Sequence, residues 1–142
     1  MSILITDSGF SPDDWTHGYH STDALPEVLP VPLALELDNT QDAKALAPLF
    51  SDIDLIRVIF PSFADGRGFS LARHLRLLGF DGRLRAFGPV LADQYTMARR
   101  AGFDEVEIPD ALAQRQSQDQ WQARSDWRAH DYQSRLRQFD GL

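Results

Sequence analysis

The chain has 142 residues, 43% of them apolar, no cysteine and a net charge of −7. A chain of that size forms one domain and buries a core without a disulfide or a metal. The lack of cysteine excludes disulfides, thiol redox chemistry, cysteine-ligated iron–sulfur clusters and Cys-type zinc sites, and the acidic total argues against general nucleic-acid binding.

No apolar run approaches the roughly 20 residues of a membrane helix. No basic segment precedes an apolar one at the N-terminus, so no signal peptide is expected. The expectation is a soluble cytoplasmic protein without membrane contact. Its charge is unevenly spread. Residues 1–54 hold ten acids and one base, 55–100 three acids and eight arginines, and 101–142 eight acids and five arginines. Every cation of the middle block is Arg, whose planar fork suits carboxylate, phosphate and sulfur oxyanions.

In chain order, ILIT begins a short strand that breaks at the Asp7-Ser8-Gly9 turn and continues into Asp13-Asp14-Trp15. Residues 16–32 carry Pro26, Pro30 and Pro32 and read as an irregular arm. LALEL (33–37) is strand-like. TQDAKALAPLF (40–50) reads as a helix with Thr40 as its N-cap and Pro48 limiting its end. DLIRVIFP (54–61) is an apolar run of the kind buried on both faces of a parallel sheet. SLARHLRLLGF (70–80) places Leu71, Ala72, Leu75 and Leu78 on one helical face, with Arg73, His74 and Arg76 largely off it. RLRAFG (83–88) is a third strand, VLADQYTMARRAGF (90–103) a third helix and DEVEI (104–108) a fourth strand. Two helices end alike, in Gly79-Phe80-Asp81 and Gly102-Phe103-Asp104, the pattern of a Schellman cap. From Ala111 the tail is rich in Gln and Arg. Residues 111–124 read as a helix, and Trp127 to Gln133 as an edge segment or more helix. Trp121, Trp127, Tyr132, Leu136 and Phe139 suggest that the tail packs on this domain or on another chain.

The pattern predicts one α/β domain: an N-terminal irregular or hairpin arm (1–32), an α/β core (33–110) with about four mainly parallel strands flanked by helices, and a C-terminal helical tail (111–142). Ligands of such sheets bind beyond the carboxyl ends of the strands. The longest and most polar loop there runs from Pro61 to Gly68. Gly66 and Gly68 permit close approach, Ser70 is placed to cap the next helix, and Arg67 adds charge beside its free N–H groups. Asp65, Gly66, Arg67, Gly68, Ser70 and Arg73 are therefore candidate ligand-binding residues, against the plainer reading of a tight turn in which Asp65 pairs with Arg67. Arg85 lies inside a strand and needs an exposed face, an acid or a ligand. Asp93 and Gln94 fall in the first turn of the third helix, where an acid offsets the dipole or the pair holds Arg67 or Arg85. His17-x-x-His20 near Asp13, Asp14 and Asp23 is too irregular to assign a metal site. There is no nucleophile elbow, and Gly66-x-Gly68 lacks the third Gly of a dinucleotide fingerprint. No catalytic residue and no cofactor is assigned.

Phe60-Pro61-x-Phe63-x-Asp65-Gly66-Arg67-Gly68-Phe69-Ser70-x-Ala72-Arg73-x-Leu75-Arg76 resembles the signature of the bacterial family named domain of unknown function 934. Gly82-x-Leu84-Arg85-Ala86-x-Gly88-x-Val90-Leu91-x-Asp93-Gln94, Gly102-Phe103-Asp104, Asp13-Asp14-Trp15 and Tyr132-Gln133 fit it as well. Pro89 departs from the acid expected there, so that position carries no role. The resemblance implies a protein that travels with sulfite reductase and phosphoadenylyl-sulfate reductase, in a family often labelled as oxidoreductases of sulfite reduction. It carries over no catalytic residue. The leading expectation is an accessory protein of sulfur assimilation that binds an oxyanion or a reductase through the Arg-Gly loop, with Arg73, Arg85, Asp93 and Gln94 as further ligand-binding candidates and Arg67 and Arg85 converging on one rim of the sheet. One alternative is an oxidoreductase with a bound nucleotide or flavin. The other is an interaction module with the aromatic tail as its interface.

Overall fold

A computed structural model of the chain describes residues 2–127. The expectations for Tyr132, Gln133, Leu136 and Phe139, and for a structured segment after Trp127, lie outside the described residues. Strands β1 (Ser2–Thr6), β2 (Gly9–Pro12), β3 (Ala34–Leu37), β4 (Leu55–Ile59), β5 (Arg83–Phe87) and β6 (Glu105–Pro109) form one sheet in the order β2-β1-β6-β5-β4-β3. The four expected strands, β3 to β6, pair in parallel in chain order. The expected count of four becomes six, and the sheet is mixed. The N-terminal segment forms a hairpin around Asp7-Ser8-Gly9 and lays β1 antiparallel to β6.

Strands that step across a sheet in one direction through right-handed crossovers put every crossover on the same face. The helices are α1 (Ala43–Leu46), α2 (Arg67–Leu77), α3 (Tyr95–Ala101), α4 (Asp110–Arg115) and α5 (Gln118–Gln122). All deliver their apolar side chains to one core. Leu46, Leu71, Leu75, Ala98 and Trp121 meet Leu35, Ile56, Val58, Leu84, Ala86, Val106 and Ile108 of the sheet there. The sheet is thus covered by helices on one side rather than flanked by them on both. β4 accordingly carries Arg57 on the other side, where a fully apolar run was expected.

Local chemistry explains where the element boundaries moved. Asp42 caps α1, its carboxylate accepting from the Lys44 amide at 3.0 Å. Thr40 instead closes a turn on Asp38. α2 starts at Arg67 with Gly66 as its N-cap, so Ser70 lies one turn inside the helix and caps nothing. The expected tail helix is two, because Ser117 and Gln120 form a capping box that starts a second one. Both Gly-Phe-Asp ends are Schellman caps. Gly79 and Gly102 take φ of 105° and 116°, and the Phe80 and Phe103 amides donate to Leu75 and Ala98, each at 3.0 Å. Arg76 ties the two ends together, donating to the carbonyls of Phe80, Gly82 and Gly102 and to Asp104. No described helix is long and apolar enough to cross a membrane.

Candidate functional site

The loop after β4 delivers Asp65, Gly66 and Arg67 to the start of α2. The Asp65 carboxylate accepts from the Arg67 amide at 3.2 Å, from Nε at 3.0 Å and from Nη2 at 2.7 Å. These hydrogen bonds hold the Asp65 carboxyl far below the usual carboxylate range. The anion at this helix start is therefore the chain's own. Arg67 remains 63% exposed at its side chain. Gly68 answers to packing: a Cβ there would lie 2.4 Å from the Phe60 ring.

Arg85 belongs to a different place. It sits on the helix-free face of the sheet with 0% exposure, within hydrogen-bonding distance of four carboxylates. The distances are 2.7 Å to Glu105, 3.0 Å to Glu107, 2.8 Å to Asp13 and 3.0 Å to Asp14. The strand register builds this lattice, setting Glu36 beside Arg57, Arg57 beside Arg85 and Arg85 beside Glu105. Arg83 joins Glu105 to Asp14, and Arg57 joins Glu36 to Glu107. The Arg57 guanidinium lies 3.7 Å from the centre of the Tyr19 ring and 4.4 Å from that of Phe87. The arm thus covers the bare face with Asp13, Asp14 and Tyr19. Burial opposes ionisation of Asp13, but the Trp15 amide and Arg85 outweigh it and lower its pKa. Hydrogen bonding to Arg83 lowers that of Asp14. The expectation that Arg67 and Arg85 converge on one rim is corrected, since alternation along β5 turns Arg85 away from the helices. Five carboxylates surround three guanidiniums, so the lattice is no receptor for an added anion.

The remaining candidates meet between α2 and α3. A groove of about 710 Å³ takes in Gly66, Ser70, Arg73, His74 and Gln94 beside Phe63, Phe69, Leu77 and Met97. Gln94 stitches its mouth, donating to the Phe63 carbonyl at 2.7 Å and accepting from the Leu91 amide at 2.9 Å. It does not hold Arg67 or Arg85. Nor does Asp93, which pairs with Arg124 at 2.8 Å. Phe63, Leu77 and Met97 are 54%, 79% and 55% exposed. Among the described residues no carboxylate lines the groove. Arg73 stands on its rim, exposed and without an ion-pair or hydrogen-bond partner among the described residues. Ser70 and His74 also border a smaller hollow with Thr40 and Arg67.

Sequence reasoning missed Phe63, Leu77 and Met97 as a surface and Glu36, Arg57, Glu105 and Glu107 as a lattice. The lattice had a signal. Charges two apart in Arg83-Leu84-Arg85 and Glu105-Val106-Glu107 mark one face of neighbouring strands. Among the described residues no group of three or more His, Asp or Glu is arranged to hold a metal ion. Asp13 and Asp14 are taken up by arginines, and His20 bridges β3 through its backbone.

Residues 34–141 match the model of a family described as a bacterial protein of unknown function, DUF934. No curated protein matches, and no solved structure does.

Proposed function

Because the chain belongs to the bacterial family of unknown function DUF934, we propose that it is an accessory protein of assimilatory sulfite or sulfate reduction. It binds the reductase through the α2–α3 groove and the Asp65–Ser70 loop at its mouth. The pathway rests on the family signature over Phe60–Arg76 and Gly82–Gln94. One observation carries the mode of action: exposed Phe63, Leu77 and Met97 share a groove with Arg73, and among the described residues no carboxylate lines that groove and none pairs with Arg73. Such apolar exposure around one concave site marks a binding surface. A protein partner is favoured over a free oxyanion, since Asp65 already occupies the start of α2 and Arg85 is saturated with carboxylates.

Affinity capture from the native bacterium tests this. Tagged wild-type protein retains sulfite reductase or phosphoadenylyl-sulfate reductase, and a Leu77→Ser, Met97→Ser variant loses it. Equal capture by both proteins, or capture by neither, overturns the proposal.

A further inference from the structure

We infer that the α2–α3 groove receives an acidic amphipathic helix, a deduction that rests on reading the groove as a docking site. Two neighbouring helices leave a furrow between them, and a third helix fits such a furrow along its apolar face. α2 has 11 residues, so the furrow is about 16 Å long and spans about three turns of a guest helix. Its exposed apolar groups lie along that length. Phe63 sits before the start of α2, Met97 on α3, and Leu77 in the last turn of α2. At ~1.5 Å per residue they match anchors on one face of the guest spread over about three turns, from i to about i+11. Met97 adds a flexible, polarisable contact of the kind that adapts to a guest side chain.

Charge selects the guest's polar flank. The protein as a whole is acidic, at −7, yet Arg73 and His74 border the groove and no acid among the described residues lines it. The nearby acids are already neutralised, Asp65 by Arg67 and Asp93 by Arg124. A carboxylate on the guest therefore finds at Arg73 a guanidinium that no described residue pairs with, and no described acid in the groove to repel it. A bare anion would leave the three apolar groups in water, so the guest combines an apolar face with carboxylates.

Two designed 14-residue stapled helices test the inference by fluorescence polarisation against the full chain. They share three leucine anchors and carry either Glu or Lys on the flanks. Wild type binds the Glu helix at least about tenfold more tightly, a difference of roughly 1.4 kcal/mol. Arg73→Glu abolishes or reverses the preference, and Leu77→Ser with Met97→Ser weakens the Glu helix by about tenfold or more. These side chains are exposed, so the variants fold. Equal binding of the two helices, no binding of either, or an unchanged preference in Arg73→Glu overturns the inference. So does a wild-type dimer in light scattering that the Ser variant breaks, because a second copy then covers the groove. A preference for the Glu helix without capture of a reductase upholds this inference and removes the reductase. Capture of a reductase without that preference does the reverse.

Discussion

Arg67 and Arg85 stand 18 positions apart in one basic block and do opposite work. Arg85 is surrounded by buried Glu105 and Glu107, and removing it empties a fully buried position and leaves each carboxylate one guanidinium, Arg83 for Glu105 and Arg57 for Glu107. Arg85→Ala is expected to cost about 3–5 kcal/mol in urea denaturation. Arg67→Ala is expected to move the urea midpoint far less, because the Arg67 side chain of its pair with Asp65 is 63% exposed. A loss of binding in an Arg85 variant would therefore report unfolding. Gly68 makes a similar point about the signature loop. Its hydrogen faces the Phe60 ring, so Gly68→Ala forces that ring aside and costs about 1–3 kcal/mol in a thermal melt. The sequence motif was legible, but which of its residues pack and which meet solvent depended on where Phe60 lies.

At the scale of elements, the arm over the bare sheet face is fastened by ion pairs. Asp13 and Asp14 hold Arg85 and Arg83, and Tyr19 covers Arg57. Both aspartates have lowered pKa values in the folded state. A lowered carboxylate contributes stability above its unfolded pKa of about 3.9 and loses it as pH falls through the folded value. The arm should therefore stay closed at neutral pH and open in acid below about pH 4. Asp13→Asn with Asp14→Asn should open it at pH 7. Amide hydrogen exchange of residues 13–20 checks both, and unchanged protection in the variant would contradict this account of the clamp. The elements themselves were largely legible, because Leu71, Leu75, Gly79 and Phe80 state a helix and its end within one short span. The helix-free face was not, since it follows from the order of strands across the sheet. That order pairs Ile3 with Ile108, more than a hundred residues away, and no local pattern encodes such a pairing.

For the whole molecule, a one-sided helical layer divides the labour between two faces. The arm and the Arg–Glu lattice close one face. The helices cover the other and, among the described residues, leave Phe63, Leu77 and Met97 exposed between α2 and α3. The −7 charge keeps most of the surface repulsive to acidic proteins, and the rim at Arg73 is the local exception that orients an acidic partner. Binding should weaken as salt rises, because Arg73 is a solvent-exposed charge. The candidate loop was visible in the sequence as a polar break after a strand. The groove below it was hidden, because Phe63, Leu77 and Met97 come together only when α2 and α3 pack side by side.

The most direct measurement is calorimetric titration of purified sulfite reductase into the full chain and into its Arg73→Glu, Met97→Ser variant. A saturable signal with the wild type that the variant loses, while its melting temperature holds, is the predicted result. Identical signals from the two proteins, or none from either, would contradict docking through the groove.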